Sequence, residues 1–145
     1  MCGICGKLSE NCLCIKCRNK LYNEAVFGRD YYDDKYFENH YYLFKYDGLI
    51  REKILDYKFN ENPYLYKTFM NFLFFYEKNY FQFDFYDIII PVPISNHRWK
   101  LRGYNQSKLI AMELARYLDL QFDNNILIKN KNNKTQSTLN QERKN

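Results

Sequence analysis

All five cysteines of this 145-residue chain lie among its first seventeen residues, and this concentration constrains the fold more than any other feature. Four of them form two Cys-x-x-Cys pairs, Cys2 with Cys5 and Cys14 with Cys17. This spacing lets each pair turn tightly and direct two thiolates at one tetrahedral ion. Gly6 follows Cys5, where such a turn favours a residue that tolerates positive φ. The pattern predicts a closed, structural Zn²⁺ site with four thiolate ligands.

Cys12 is the odd cysteine, and we expect it to stay outside the metal site. It would have to pair with Cys17 across four residues, which is a poorer bite. A redox-active Cys-x-x-Cys and unliganded thiols are the alternatives to a metal site. Two pairs at this spacing are a more specific metal signal than one pair, so zinc is the favoured interpretation.

The composition predicts a folded cytoplasmic protein of about one domain. Hydrophobic residues make up 46% of the chain and aromatic residues 19%, which is enough for a packed core. Apolar runs such as "FLFFY" are too short to span a bilayer, so no membrane span is expected. The N-terminus has no basic-then-apolar signal segment. In a cytoplasmic chain the cysteines are expected to be thiols and not disulfides.

The net charge of +5 is distributed unevenly along the chain. Residues 1–20, 95–118 and 129–145 are basic, and the stretches between them are acidic. A solvated surface would explain any one of these segments. All three fall on loops or motif regions, which favours an anionic ligand.

The middle of the chain predicts a connector, a strand and two helices. Residues 21–40 are acidic and aromatic without a clear period, as in a connector. "HYYLFKY" resembles a strand, and Asp47 can cap the helix that follows. Asn62 can cap a second helix with Pro63 at its first position. The apolar stripes on both helices are expected to be core: Ile50, Ile54, Tyr57, Leu65, Phe69, Phe72, Leu73 and Tyr76.

The stretch "DIIIPVPISNHRWKLRGYNQSKLIAMELARYL" predicts a strand, a basic loop and a helix. Three β-branched residues in a row indicate a strand buried on both faces of a parallel sheet. Pro91 and Pro93 weaken pairing where the chain leaves that sheet. Asn105 can cap the helix, and Ile126–Ile128 would form the second parallel strand of an α/β fold.

The basic loop of this stretch suits a phosphate or pyrophosphate group. Ligands collect at the carboxyl ends of parallel strands, and a helix N-terminus lies beside the loop. An ordinary charged surface loop fits the same residues equally well. The candidate anion-binding residues are Arg98, Lys100, Arg102, Gly103, Tyr104, Asn105 and Gln106.

These motifs resemble the ComF family, phosphoribosyltransferase-like proteins of bacterial competence, and the related gluconate-utilisation proteins. The family pattern is Pro-Val-Pro, a basic stretch, and Arg-Gly-aromatic-Asn-Gln at the start of a helix, which residues 91–93 and 102–106 match. A four-cysteine zinc ribbon at the N-terminus is typical of the family. "YDGLIREKILDYKF" is similar to its Tyr-x-Gly helix, which ends in a Lys-aromatic pair. "NKTQSTLNQERKN" is similar to its Thr-x-x-Gln…Glu-Arg-x-x-Asn segment.

The resemblance implies a zinc ribbon over residues 1–20, a connector over 21–40 and the N-terminal portion of a type I phosphoribosyltransferase-like domain over 41–145. The implied enzyme class is a phosphoribosyltransferase, a glycosyltransferase that uses phosphoribosyl pyrophosphate (PRPP), with Mg²⁺ in a complete family member. Gln136 and Arg143 would belong to a flexible loop that closes over bound substrate. The implied cellular role is natural competence and DNA uptake, with single-stranded DNA and the competence machinery as partners.

The chain departs from the family pattern after this segment. Family members add a strand that ends in an acidic pair and a Thr/Gly-rich loop, which holds the ribose and 5-phosphate of PRPP. No Asp-Asp or Glu-Asp followed by Thr-Thr-Gly occurs here; the single Asp-Asp, Asp33-Asp34, precedes "KYFEN". We therefore expect a chain truncated before the PRPP-binding loop, with weak PRPP or pyrophosphate binding and no transferase activity.

The alternative function is a zinc-ribbon module that binds single-stranded nucleic acid without transferase chemistry. The basic segments would follow the backbone, and the many aromatic side chains could stack on bases.

Overall fold

The computed structural model describes residues 1–33, 36–81, 83 and 85–131, and it shows a mixed α/β fold with two small sheets. The elements in chain order are α1 (Ile15–Glu24), β1 (Ala25–Tyr31), β2 (Asn39–Phe44), α2 (Gly48–Phe59), α3 (Leu65–Tyr80), β3 (Ile88–Ile89), α4 (Asn96–Arg102), α5 (Gln106–Leu118) and β4 (Gln121–Phe122). Within the described ranges, no helix has both the length and the apolar character that crossing a membrane requires.

β1 and β2 form an antiparallel hairpin, part of which lies where the sequence predicts a connector. β2 matches the predicted strand, but β1 was missed. The register shifts between Ala25 and Gly28, and Phe27 there adopts a positive φ of 42°. Such a bulge interrupts the alternation of apolar and polar side chains, so this strand lacks the period-2 pattern that identifies strands in a sequence.

α2 and α3 supply the apolar faces that the sequence predicts. Asp47 caps α2 by accepting a hydrogen bond from the Gly48 N–H at 2.7 Å. Ile50 on α2 is buried. α3 begins at Leu65 and not at Pro63, because the chain first makes a tight turn in which the Leu65 N–H donates to the Asn62 carbonyl at 3.3 Å.

The cysteine-rich segment shares one hydrophobic core with α2 and α3. The buried members of that core are Cys2, Leu13, Cys17, Leu21, Ile50 and Phe72. The Thr68 hydroxyl of α3 also donates a hydrogen bond to the Cys12 carbonyl at 3.1 Å, which joins the cysteine-rich segment to α3. The cysteine-rich segment therefore packs as an integral part of the fold.

β3 and β4 form a parallel pair, as expected, but the second strand lies earlier in the chain than predicted. Ile88 pairs with Gln121. The predicted strand at Ile126–Ile128 is wrong, and its three side chains are exposed. After α5, Asp119 takes a left-handed conformation with φ 55°, and this turn returns the chain at once to the side of β3.

β3 is half-buried and not buried on both faces as expected. In the described part of the chain, the parallel sheet has two strands of two residues each. The phosphoribosyltransferase-like fold and the boundaries at residues 20 and 40 therefore stay predictions.

Candidate metal centre and anion site

The two Cys-x-x-Cys pairs come together as the spacing predicts. The sulfur atoms of Cys2, Cys5, Cys14 and Cys17 all lie within 4.8 Å of one another. The Sγ atoms of Cys5 and Cys14, one from each pair, are 3.9 Å apart. Four sulfurs bound tetrahedrally to zinc at about 2.3 Å would be about 3.8 Å apart, so the cluster has the size that zinc requires.

Backbone hydrogen bonds shape each half of the cluster. In the first half, the Gly6 N–H donates to the Cys2 carbonyl at 2.9 Å, and Gly6 has the positive φ of 71° expected at this turn. In the second half, Cys14 is the N-cap of α1, and Cys17 lies in the first turn of that helix. The positive end of the α1 dipole therefore faces the thiolates and favours their ionisation.

The surroundings of the cluster shift the pKa values of Cys2 and Cys17 in opposite directions. Burial opposes the ionisation of Cys2, but backbone N–H groups outweigh burial and lower its pKa to about 6. These N–H groups belong to Cys14, Cys5 and Ile4. Burial raises the pKa of Cys17 far above its ordinary value, and the charge of Cys2 adds to the rise. A metal ion among the four sulfurs would favour their thiolate forms, because its charge offsets the repulsion between them.

Cys12 does not belong to the four-sulfur cluster. Its carbonyl accepts hydrogen bonds from the Gly3 N–H at 2.9 Å and from the Thr68 hydroxyl at 3.1 Å. The Cys12 carbonyl therefore joins the cysteine-rich segment to α3 by hydrogen bonds.

The basic segment folds as the helix α4 and not as the loop that the sequence predicts. Ser95 begins the helix, because its Oγ accepts from the Arg98 N–H at 3.4 Å. Gly103 ends it with a φ of 75°, a left-handed conformation that glycine adopts without steric cost. A serine before the basic run and a glycine after it are the boundary signals that could have revealed this helix.

The predicted anion-binding residues are divided between two places. Gly103, Tyr104 and Asn105 line a cavity of about 780 Å³. Arg102 turns instead toward α2, with its Cζ atom 4.8 Å from the centre of the Phe59 ring. The described lining of the cavity includes none of the three predicted cations of α4, of which Lys100 is exposed to solvent.

The cavity lies at the carboxyl ends of β3 and β4, where ligands collect in parallel α/β sheets. Pro93 and Ile94, which follow β3, line one side, and residues between 124 and 130, which follow β4, line another. Lys108 of α5 and Lys129 bring two positive charges to the lining. Both lysines belong to basic segments of the sequence, residues 95–118 and 129–145, but both lie outside the run between Ser95 and Gln106 from which the anion-binding residues were predicted.

The N-terminus of α5 is partly occupied by its own cap. Asn105 Oδ1 accepts from the backbone N–H groups of Ser107 at 3.0 Å and Lys108 at 3.4 Å, which confirms the predicted cap. The Asn105 Nδ2 group donates to the Val92 carbonyl at 3.2 Å and so holds the helix start against the end of β3. An anion in the cavity would meet side-chain charges more than free backbone donors.

Two tyrosines fasten α2 to the junction between α4 and α5. The Tyr57 hydroxyl donates to the Gln106 carbonyl at 2.8 Å, and the Tyr104 hydroxyl donates to the Tyr57 carbonyl. Tyr57 is 3% exposed, and this burial raises its pKa far above the ordinary value, so the phenol stays a donor.

Positive charges converge on the same junction. Burial lowers the pKa of Lys58, and the charges of Arg102 and Arg98 lower it further. Burial and Arg98 likewise lower the pKa of Arg102. Lys58 is distant from α4 in the sequence. The sequence drew attention to it only as the lysine of the Lys-aromatic pair that resembles the family pattern.

Gln136 and Arg143, the predicted flexible-loop residues, lie outside the described residues. Their part in the site stays a prediction.

Comparison with known proteins gives a partial match. The chain is 43% identical over 53 residues to a protein named competence protein F from Haemophilus influenzae. The match covers 37% of this chain and 23% of that relative, so the chain spans less than a quarter of the relative's length. No family model matches the chain, and no solved structure matches it either.

Proposed function

We propose that this chain is a ComF-related protein with a role in natural competence and DNA uptake, and that its cysteine cluster holds a structural Zn²⁺. The observation that carries the cellular role is the 43% identity to competence protein F over 53 residues. The four clustered sulfurs support the metal. Four thiolate ligands leave zinc no open position for water, so the ion stabilises the fold and does no chemistry.

The ligand that the second site supports best is the pyrophosphate group of PRPP. The cavity has the volume of an ordinary small-molecule site and lies at the carboxyl ends of parallel strands. Lys108 and Lys129 supply positive charge there. The predicted anion-binding residues belong to α4, the start of α5 and the turn between them, a segment that borders the cavity. They are Arg98, Lys100, Arg102, Gly103, Tyr104, Asn105 and Gln106. Mg²⁺ would accompany PRPP in a complete family member.

Binding, and not transfer, is the activity assigned to these residues. Phosphoribosyl transfer requires groups that position the pyrophosphate and the ribose 5-phosphate together. The acidic pair and Thr-Thr-Gly motif that would hold the ribose 5-phosphate do not occur in the sequence. We therefore expect weak PRPP affinity and no phosphoribosyltransferase turnover from these 145 residues.

A titration of PRPP with Mg²⁺ into the ¹⁵N-labelled chain tests the binding proposal. Saturable amide shifts are expected at Gly103, Tyr104, Asn105 and Lys129, and Lys108→Met should weaken binding about tenfold, since it removes one charged contact. A titration without saturable shifts at these residues would sink the pyrophosphate assignment.

Deleting the gene in its natural host tests the cellular role separately. Transformation by external DNA should fall while growth is unaffected, and a plasmid copy should restore it. Unchanged transformation would refute the competence role whatever the outcome of the PRPP titration.

Single-stranded nucleic acid is a second candidate ligand, favoured by the surface of α4. Trp99 is 55% exposed on this helix between Arg98 and Lys100. An exposed aromatic ring among cations is the arrangement on which unpaired bases stack. Trp99 is the chain's single tryptophan, so its fluorescence reports directly on this helix. Quenching by a thymidine oligomer that disappears in high salt would support this alternative, and unchanged fluorescence would exclude it.

A further inference from the structure

We infer that a peroxide oxidises this chain by joining Cys5 to Cys14, across the two Cys-x-x-Cys pairs, and that this disulfide expels the structural metal ion. The solvent-facing side of the cysteine cluster is thereby a site of reversible oxidation. The inference rests on the proposed function, because it takes the zinc-bound thiolates as its starting state.

The four sulfur ligands differ in their access to solvent. Cys2 and Cys17 are 1% and 6% exposed, and both belong to the hydrophobic core. Cys5 is exposed, and Cys14 is half-buried. Oxidation of cysteine follows the exposure of its thiolate, so a small oxidant dissolved in water meets the cluster on the side of Cys5 and Cys14.

The two accessible sulfurs also lie close to each other. The Sγ atoms of Cys5 and Cys14 are 3.9 Å apart, and a disulfide bond is about 2 Å long. The sulfurs therefore have to approach by about 2 Å before they can bond. Rotation of the exposed Cys5 side chain can supply much of this movement, because that side chain is not enclosed by the core.

A disulfide within either pair would disturb the core, whereas a cross-pair disulfide leaves it intact. Each Cys-x-x-Cys pair contains one accessible and one buried cysteine. A bond within a pair must therefore draw Cys2 or Cys17 from its packed position, which loses contacts and leaves a cavity. Proximity in the sequence favours bonds within the pairs, but burial in the fold favours Cys5 with Cys14.

The oxidation balances with one molecule of hydrogen peroxide. The Cys5 thiolate attacks a peroxide oxygen, the O–O bond breaks, and a sulfenic acid forms on Cys5 as hydroxide leaves. The Cys14 thiolate then attacks the Cys5 sulfur, the S–O bond breaks, and a second hydroxide leaves. The two sulfurs lose two electrons, the peroxide gains them, and two protons from solvent convert the hydroxides to water.

Oxidation would leave the metal with too few ligands. Only Cys2 and Cys17 would remain as thiolates, and a structural zinc site requires four ligands. The loss should reach the rest of the fold, because these two residues share a core with Ile50 of α2 and Phe72 of α3. Thiol reductants reverse a disulfide by exchange, so the oxidised chain should recover its metal when reductant and zinc are supplied.

The test treats the zinc-loaded full chain with one equivalent of hydrogen peroxide, alkylates the remaining thiols, and maps the disulfide by trypsin digestion and mass spectrometry. Trypsin cleaves after lysine and arginine, so it divides the cysteines among the peptides Met1–Lys7, Leu8–Lys16 and Cys17–Arg18. We expect the first two peptides to be joined, with fragmentation placing the bond at Cys5 and Cys14. A chromogenic chelator should register the release of about one zinc ion per chain in the same reaction.

Cys12→Ser is the matched control. It removes the cysteine outside the cluster and leaves Cys14 as the single cysteine of its tryptic peptide. The variant should give the same joined peptides and release zinc at the same rate as the unmodified protein. Loss of the cross-link in this variant would show that Cys12 is the reactive thiol and would overturn the inference.

The other outcomes separate this inference from the proposed function. A disulfide inside Met1–Lys7, or one that joins Leu8–Lys16 to Cys17–Arg18, would show oxidation within a pair and overturn the inference while the structural zinc stands. Zinc retained after the treatment with all four thiols intact would overturn it too. Absence of zinc from the purified chain would refute the structural metal, and the same digest of the oxidised metal-free chain would then confirm or overturn the cross-pair bond by itself.

Discussion

The cysteine cluster and the cation group of the α4–α5 junction pose opposite electrostatic problems. Four thiolates within 4.8 Å of one another would repel one another without a cation, whereas burial and neighbouring positive charges lower the pKa values of Lys58 and Arg102. The cluster is held by backbone hydrogen bonds within one short segment. The cation group is assembled from two distant helices through tyrosine hydrogen bonds. The first should therefore depend on a bound ion for folding, whereas the second is assembled by the packing of the helices themselves.

The largest expected effect comes from removing the metal. Structural zinc sites contribute roughly 10–16 kcal/mol of apparent binding free energy at pH 7, which is comparable to the whole stability of a domain. Chelation, or Cys17→Ser, should therefore abolish cooperative unfolding, because Cys2 and Cys17 belong to the shared core. Elemental analysis and circular dichroism melting measure the two consequences.

Cys12→Ser is the control for this prediction. It should retain about one zinc ion per chain, since Cys12 is outside the cluster. Loss of metal from Cys12→Ser with retention in Cys17→Ser would show that the ligand set is wrong.

A smaller effect is expected from loosening the tyrosine junction. Tyr57→Phe removes a buried hydrogen bond of 2.8 Å, which should cost about 1 kcal/mol and lower the melting temperature by about 3 °C. The zinc content should stay the same, because Tyr57 is outside the cysteine cluster. Tyr64→Phe, at a ring that is 72% exposed, should change none of these quantities. Equal effects of the two substitutions would contradict the junction's role.

Alanine substitutions at two glycines, one in each region, allow the regions to be compared at nearly equal backbone strain. Gly6 and Gly103 have φ values of 71° and 75°, and open space surrounds the position of an added Cβ at both. Alanine at either site should cost about 1–2 kcal/mol of conformational strain. We expect Gly6→Ala to lower the zinc affinity about tenfold and Gly103→Ala to lower the melting temperature without changing zinc affinity. An isothermal competition with a chromogenic chelator distinguishes the two cases.

The smallest effects concern the two lysines of α2, Lys53 beside two carboxylates and Lys58 beside the ring of Tyr46. Lys53 lies 2.9 Å from Glu52 and 3.1 Å from Asp56, and its hydrogen bond with Glu52 is the main cause of its raised pKa. Lys53→Met should therefore destabilise the protein by about 0.2–1 kcal/mol. Lys58→Met should leave the stability unchanged or slightly raised, because it removes a partly buried charge and its repulsion by Arg102 and Arg98. Denaturant titration of both variants gives the two free energies of unfolding. A clear loss of stability in Lys58→Met would show that the Lys58 charge stabilises the fold.

The two regions also differ in what their sequences reveal. The cluster could be predicted because its ligands are three residues apart within each pair, so local geometry brings each pair together. The basic run is plain in the sequence, but its helix was taken for a loop because the boundary residues Ser95 and Gly103 were not weighed against the charges between them. Lys58 could not be placed on its own evidence, because its relation to Arg102 arises only when α2 packs on the junction.

The strands were predicted only where their residues carry a clear strand pattern. β2 was predicted from its composition, whereas the bulge at Phe27 removed the pattern of β1. β4 was placed too late in the chain because three apolar residues at Ile126–Ile128 resemble a strand more than Gln121–Phe122 does. The left-handed turn at Asp119 decides the register there, and it has no strong sequence signature.

Helix α2 borders both regions, and its length acts as a spacer between them. Ile50 packs with the cysteine segment, and Tyr57 bonds to the Gln106 carbonyl seven residues later, about 10 Å along the helix axis. An ion bound to the cysteine cluster would therefore influence the α4–α5 junction by fixing the start of this helix, and the rigidity of the helix would carry that effect to its far end.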